Sequence, residues 1–161
     1  FHLSDLGMNA RIINRFEKEG KRGFWGYFRQ FLKEFRQIKK FRCEVKSDHE
    51  QTDLKAVMAV IANGSYYGTG ANINPTGKFN DGKFEVILIK RYPSWYLFKL
   101  IAAFFTGTVH KQDYIHIITC RSAEITAVPA QHLQIDGEIM EKNNSVTAEI
   151  IPNAVQVITP S

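Results

Sequence analysis

Two carboxylates beside sharp Asp-Gly turns are the side chains best suited to carry chemistry. Asp81 lies in the segment FNDGKF and Glu138 lies in IDGEIM, and the glycine beside each lets the chain turn sharply. A carboxylate that follows a tight turn can project into a cleft, where Glu138 can act as a general base toward a substrate within hydrogen-bond reach. Taken alone, each segment is more typical of a plain turn, because Asp-Gly is the commonest hairpin turn sequence.

Other familiar catalytic and metal-binding patterns do not occur in the sequence. The five histidines are scattered without metal-ligand spacing, and His116, inside an alternating strand, is predicted to be structural. Cys43 and Cys120 fit no metal site and no disulfide framework, which predicts two core cysteines in a reducing cytoplasm. We find no serine-hydrolase elbow, Walker phosphate loop or protein-kinase catalytic loop. No stretch reaches the roughly 18 uninterrupted apolar residues of a membrane-spanning helix.

The positive charge is concentrated in one part of the chain. Residues 11–46 hold twelve Lys or Arg against four acidic residues, a balance of +8, whereas the whole chain carries +5. Such a basic face suits phosphate groups, nucleic acid or an anionic membrane, and it is also typical of a solvated helix surface. Because no recognisable nucleic-acid-binding module surrounds these residues, we expect no nucleic-acid partner.

Hydrophobic periodicity predicts one mainly β (α+β) domain, a two-layer β-sandwich with two or three helices packed on it or inserted in it. A first strand turns at Gly7 and leads to a helix ending near Gly20, and a Phe-rich helix follows at residues 24–41. A further helix in PSWYLFKLIAAFFTG is apolar on almost every side except at Lys99, which fits deep burial or a hydrophobic binding wall. The predicted strands are Phe41–Lys46, Leu54–Ala62 (central in the sheet), Phe84–Ile89 and the runs YIHIITC, AEITAV, SVTAEII and AVQVIT.

The segment between the second and third of these strands is rich in glycine and aromatic residues. It reads NGSYYGTGANINPTGKFNDGKF and ends at the Asp81 turn. Glycines permit positive φ or a close approach by a ligand or another backbone. The segment is therefore either a long decorated hairpin loop or a loop that shapes a binding cleft.

Four segments, in this order and spacing, resemble one protein family. The segments LGMNARIINRF, NGSYYGTGANINPTGKFNDGKFEVILI, FFTG and IDGE are similar to the C-terminal domain of diacylglycerol kinase-type lipid kinases. These are bacterial lipid kinases related to sphingosine kinases, and the resemblance covers nearly the whole chain. The glycine-rich segment departs from the usual pattern because it has fewer glycines and carries Thr76 where alanine is common.

The resemblance implies a two-domain enzyme that transfers the γ-phosphoryl group of ATP to the hydroxyl group of a diacylglycerol-like lipid. An N-terminal nucleotide-binding domain would hold ATP through a Gly-Gly-Asp-Gly-Thr loop, and the C-terminal β-sandwich would bind lipid. No such loop occurs in residues 1–161, so we expect this single C-terminal domain to be inactive alone. The expected location is the cytoplasm, peripheral at the inner membrane surface, where the basic residues at 24–39 would contact anionic lipid headgroups.

The resemblance also assigns roles to individual residues. The proton acceptor of the family falls on Glu138, a role suited to the largely electrostatic character of phosphoryl transfer. The structural magnesium site falls on Asp81 through its side chain, with Lys78 and Lys83 contributing backbone carbonyls. Hard oxygen ligands from a tight turn are what magnesium prefers, and a carbonyl ligand does not depend on its side chain.

Two other hypotheses fit the sequence. The first is that the chain is a non-catalytic β-sandwich that binds membranes or a hydrophobic ligand, and the basic stretch and the aromatic helices favour it. Alternatively, it is a structural domain whose turns serve folding alone. On the kinase hypothesis, diacylglycerol, a sphingoid base, phosphatidylglycerol and a polyol all remain compatible substrates.

Overall fold

A computed structural model describes most of the chain outside its N-terminal quarter. The described residues are 3–7, 39–64, 66–67, 71–72, 74, 77, 81–93, 95–136, 138–152 and 154. The helix predicted to end near Gly20 lies outside this part, as do nearly all of the helix predicted at residues 24–41 and of the last predicted strand, AVQVIT. The described end of that second helix is not helical, because residues 39–40 have no regular structure and Phe41 begins a strand.

The described part is mainly β, which confirms the predicted fold class. Among the described residues, one α-helix, α1 (Tyr96–Thr106), is followed by a short 3-10 helix at Val109–Lys111. Within the described ranges, neither helix has the length and hydrophobicity needed to cross a bilayer. The strands are β1 (Leu3–Gly7), β2 (Phe41–Ser47), β3 (Gln51–Ala62), β4 (Tyr66–Tyr67), β5 (Ala71–Asn72), β6 (Phe84–Lys90), β7 (Ile115–Cys120), β8 (Ser122–Ile135) and β9 (Glu138–Glu149).

Seven of these strands form one antiparallel sheet. Its order is β7, β6, β3, then β2 and β1, then β8 and β9, because β1 and β2 each pair with both β3 and β8. Both pair antiparallel to β3, β2 along its first half and β1 along its second half, so they lie end to end. β1 and β2 are therefore two halves of one strand position, and 33 residues, 8–40, separate them in the sequence.

Gly7 is required at the junction of those two halves. Its φ is +107°, and an added Cβ would lie 2.8 Å from the Val57 carbonyl oxygen and 2.9 Å from Cε1 of Phe41. Real Cβ atoms do not approach neighbours so closely, and the left-handed φ is costly for any other residue. The turn predicted at Gly7 is thus the place where the chain leaves the sheet.

The sheet curls back on itself to form the sandwich-like core. Only Arg121 separates β7 from β8, although these strands stand at distant positions in the sheet order. The enclosed face carries a cluster of buried apolar residues: Leu6, Phe41, Cys43, Val45, Ile61, Phe84, Val86, Leu88, Ile118, Cys120 and Ile125. Burial raises the pKa of both thiols to about 12, so Cys43 and Cys120 stay neutral and pack as core residues, as predicted.

A second apolar cluster lies on the opposite face of β3 and β6, under helix α1. It contains Val57, Met58, Val60, Ala62, Ile87, Ile89, Tyr92, Tyr96 and Leu100. Because β3 and β6 are covered on both faces, they read as continuous apolar runs rather than as alternating ones. The central position predicted for β3 is confirmed, since it pairs with β1, β2 and β6.

Strand β8 is longer than the sequence pattern predicts. The pattern breaks at Pro129, whereas the strand continues through Pro129 to Ile135. The pairing with β9 shifts register between Thr126 and Gln131, which removes Pro129 from the regular ladder. Proline is tolerated in a strand at such an irregularity because its missing N–H leaves no ladder bond unmade.

Candidate functional site

The Asp81 turn presents an exposed carboxylate immediately before β6. The Lys83 N–H donates to Asp81 Oδ1 at 3.0 Å, and Gly82 between them has φ +69°. The side-chain bond closes the turn locally, and glycine accepts the left-handed backbone that the turn needs. Asp81 and Lys83 therefore stand in one turn, while Lys78 lies outside the described residues.

A buried polar pair ties the glycine-rich segment to the strand that follows it. Asn74 is fully buried and its Nδ2 donates to Oε2 of Glu85, which is only 4% exposed. Burial raises the pKa of the Glu85 carboxyl, and the nearby charge of Asp81 raises it further, whereas the Asn74 bond lowers it. The pair links the middle of the segment to β6 next to the Asp81 turn.

Gly77 lets the chain pass close to this pair. Its N–H donates to the Asn74 carbonyl oxygen at 3.2 Å, and an added Cβ would lie 2.0 Å from Asn74 Nδ2. Any larger residue would displace the amide from Glu85. Sequence reasoning did not find this pair. The available signal was Glu85 itself, a carboxylate within the otherwise apolar run FEVILI.

Glu138 is the first residue of β9 and lies exposed beside a tight turn. It pairs with Ile135 at the end of β8, and Asp136 in the turn between them has φ +48°. Aspartate is among the few residues that adopt this left-handed conformation readily. The β8–β9 hairpin thus holds the Glu138 carboxylate at its tip, in contact with solvent.

The Asp81 turn and Glu138 lie at the same end of the sheet, which we call the loop end. The start of β6 pairs with the end of β3, and the end of β3 pairs with the start of β1. The start of β1 pairs in turn with the end of β8, which pairs with the start of β9. The pairs are Glu85–Ala62, Ala62–Leu3, Ser4–Ile135 and Ile135–Glu138. Four strand spacings of about 4.8 Å separate the two turns along the sheet. The two carboxylates therefore occupy separate positions at the same end of the sheet and do not form one cluster.

A magnesium ion at the Asp81 turn would depend on backbone oxygens. Among the described residues, no group of three or more His, Cys, Asp or Glu side chains could hold a metal ion. The turn instead offers the exposed Asp81 carboxylate and main-chain carbonyl oxygens, which are hard donors of the kind magnesium prefers. The residues present therefore fit the predicted ligand set in chemical type.

His116 is satisfied by neighbouring side chains, as expected for a structural histidine. Its Nε2 lies 3.0 Å from Oε1 of Glu50 and 3.4 Å from the Thr52 hydroxyl, on the hairpin between β2 and β3. The Thr52 hydroxyl also donates to Glu50 at 2.7 Å. These contacts among Glu50, Thr52 and His116 hold the β2–β3 hairpin next to β7.

Comparison with protein families shows which family the chain belongs to. Residues 5–159 match the model of the YegS C-terminal NAD kinase beta sandwich-like domain. The chain belongs to this family. The resemblance drawn from the four segments is thereby confirmed, and the YegS C-terminal domain is related to lipid kinases of the diacylglycerol kinase type. No protein of curated function matches the chain.

Solved structures agree on the fold. Three proteins of Bacillus anthracis str. Sterne, one named a diacylglycerol kinase and two given that name provisionally, match 94% of the chain. Their TM-scores are 0.60, 0.57 and 0.58 at 18%, 16% and 21% identity. The chain spans only about half of each of those proteins, 49%, 46% and 50% respectively. At such low identities the likeness shows a shared fold and nothing about the reaction.

Proposed function

We propose that this chain is the lipid-side domain of an ATP-dependent lipid kinase, and that Glu138 is its general base. The observation that carries the proposal is the place of Glu138: an exposed carboxylate at a hairpin tip, at the loop end of a YegS C-terminal domain. The acceptor is a diacylglycerol-like lipid. As its hydroxyl oxygen bonds to the γ-phosphorus of ATP, the hydroxyl proton passes to Glu138, and ADP leaves.

Nucleotide binding falls to a second domain in this proposal. The chain spans about half of the similar structures, and residues 1–161 contain no Gly-Gly-Asp-Gly-Thr loop. The partner is therefore a nucleotide-binding domain of the same protein, with the loop end as one wall of the cleft between the two. Isolated residues 1–161 are expected to transfer no phosphoryl group.

The Asp81 turn is the proposed magnesium site. Asp81 supplies a carboxylate oxygen, and Lys78 and Lys83 supply carbonyl oxygens. Bound there, the ion would hold the end of the glycine-rich segment in one conformation. The Asn74–Glu85 pair already fixes the same segment to β6, so ion and pair would together shape the loop end.

The test is phosphoryl transfer from labelled ATP to diacylglycerol by the complete protein. Glu138→Gln should lower kcat by roughly 10²–10⁴-fold, the usual contribution of a general base, with the midpoint of thermal unfolding unchanged. Glu141→Gln is the matched control, because Glu141 is an exposed carboxylate on the same strand. Near-normal turnover by Glu138→Gln would overturn the assignment.

The magnesium site has a separate readout that does not depend on turnover. Added Mg²⁺ should raise the thermal midpoint of the complete protein and of Glu141→Gln, but not that of Asp81→Asn. An equal rise in all three proteins would remove Asp81 from the ligand set.

The alternative function is a non-catalytic lipid-binding module. Its support is the aromatic surface of α1, where Trp95 is 68% and Phe98 is 72% exposed. If the complete protein binds lipid vesicles but transfers no phosphoryl group to any hydroxylated lipid, this alternative replaces the kinase.

A further inference from the structure

Helix α1 is fixed to the sheet by one face. Tyr96 is 2% exposed, its hydroxyl donates to Oε1 of Gln112 at 2.7 Å, and its ring meets that of Tyr114 edge-on at 4.6 Å. Leu100 and Ala103, four and seven residues further along, are buried as well. Because this face is anchored, the opposite face of the helix is held away from the sheet.

That opposite face carries large apolar side chains. Trp95, Phe98 and Ala102 are exposed and follow each other at spacings of three and four residues, so they line one side of the helix. Trp95 and Phe98 are two of the five large hydrophobic residues exposed in the described part of the chain. Two aromatic side chains so open on one helix face are typical of an interaction surface rather than of chance exposure.

The charged residues that flank this face in the sequence are basic. Arg91, four residues before Trp95, and Lys99, next to Phe98 in the sequence, are both exposed, and the Lys99 ammonium lies 5.2 Å from the centroid of the Tyr96 ring. From Val86 to Gln112 the sequence contains four Lys or Arg and no Asp or Glu. Arg91 and Lys99 therefore give the exposed side a positive charge that complements a negatively charged partner, while Asp113 acts on Tyr96, on the anchored face.

We propose that this face of α1, Trp95 and Phe98 with Arg91 and Lys99, docks onto an anionic bilayer surface. Tryptophan and phenylalanine on one side of a helix with cationic neighbours are the composition of helices that lie in the membrane interface. Arginine and lysine would contact lipid phosphates while the two rings enter the headgroup region. Eleven residues, about 16 Å of helix, lie along such a surface and do not cross it.

The docking surface deepens the proposed function, because a diacylglycerol-like substrate resides in a bilayer. It also differs from the basic segment at residues 24–39 that the sequence pointed to, of which only Lys39 is among the described residues. In this proposal α1 brings the domain to the lipid, and the loop end then receives the hydroxyl group.

Trp95 provides a direct probe. Residues 1–161 contain two tryptophans, Trp25 and Trp95, so the emission of Trp95 is obtained as the difference between the complete protein and its Trp95→Phe variant. In the complete protein, vesicles of phosphatidylcholine with about 30 mol% phosphatidylglycerol should shift the emission to the blue. Brominated lipid should quench it, and phosphatidylcholine alone should have a much smaller effect. No shift and no quenching with anionic vesicles would overturn the proposal.

Sedimentation with the same vesicles supplies the matched comparison. Trp95→Ala with Phe98→Ala should lower binding to anionic vesicles by about tenfold or more, and added salt should weaken wild-type binding. Val128→Ala with Ile151→Ala is the control, since those residues are also exposed, at 57% and 71%, but lie elsewhere. Equal losses in the two double variants would contradict the proposal.

Two further outcomes separate docking from rival explanations. If Trp95 is already blue-shifted and shielded from acrylamide without vesicles, another part of the protein covers it and the membrane proposal fails. Phosphoryl transfer to diacylglycerol in detergent micelles tests the kinase independently. Docking by an enzyme inactive in micelles would refute the kinase alone, while activity without vesicle docking would refute the surface alone.

Discussion

The two connections that flank β3 are held in opposite ways. The segment from β3 to β6 is tied by Asn74 and Glu85, both buried, next to the Asp81 turn. The hairpin from β2 to β3 is held at the surface, where the Arg121 N–H donates to Asp48 at 3.1 Å and His116 meets Glu50 at 3.0 Å. One connection depends on a desolvated pair and the other on solvated contacts.

The two kinds of contact have different consequences: the buried pair selects one loop conformation, whereas the exposed contacts add only a little stability. A buried amide–carboxyl pair is costly to desolvate, so it is retained where one loop conformation must be selected, and losing either partner leaves a buried group unsatisfied. Exposed ion pairs exchange their contacts with water at little cost. The pKa directions agree: burial raises that of Glu85, whereas hydrogen bonds from Thr52 and His116 lower that of Glu50.

The largest effect is expected from Asn74→Ala. It removes the donor to a buried carboxyl group, so the free energy of unfolding should fall by about 1–3 kcal/mol, measured by urea denaturation. Asn143→Ala removes an exposed amide that bonds to the Glu141 carbonyl and should have almost no effect. Similar losses in both variants would mean that the buried pair does not hold the segment.

Gly77→Ala should act through the same pair. The new Cβ, at 2.0 Å from Asn74 Nδ2 in the present geometry, should displace the amide and cost about 1–3 kcal/mol, as overpacking usually does. A double-mutant cycle with Asn74→Ala isolates the cause. The cost of Gly77→Ala should shrink when Asn74 is already alanine, and strict additivity would assign it to backbone effects instead.

The smallest effect is expected at the β2–β3 hairpin. Glu50→Gln should cost at most about 1 kcal/mol at neutral pH, because the side chains of Glu50 and His116 are 43% and 36% exposed. The pKa of Glu50 is lowered in the folded protein, so its contribution is present above the unfolded pKa and is lost as pH falls through the folded value. The unfolding curves of the variant and the wild type should converge in acid. A stability difference between Glu50→Gln and the wild type that grows in acid would contradict this prediction.

The strand pattern of the fold could be predicted because short-range periodicity determines it. β2 and β7 follow from alternating runs, β3 and β6 follow from continuous apolar runs, and the end of α1 at Gly107 follows from a helix-end signal. The full length of β8 could not be predicted, since Pro129 is a local breaker and its tolerance depends on a register shift with β9. The end-to-end placement of β1 and β2 is equally non-local.

The candidate site divides in the same way. Asp81 and Glu138 stand in recognisable Asp-Gly turns, so sequence motifs identify them as candidates. The Asn74–Glu85 pair was missed because neither residue belongs to a motif and their contact depends on how the glycine-rich segment folds onto β6. The exposed face of α1 was also ambiguous, because an almost wholly apolar helix sequence does not indicate which side the sheet covers.

The most direct test of the central claim is the turnover of the complete protein with Glu138→Gln, assayed on diacylglycerol dispersed in detergent micelles so that membrane docking does not enter. The account predicts a fall in kcat of at least about 100-fold with little change in KM, while Glu141→Gln stays near wild type. A Glu138→Gln enzyme with wild-type kcat would contradict it.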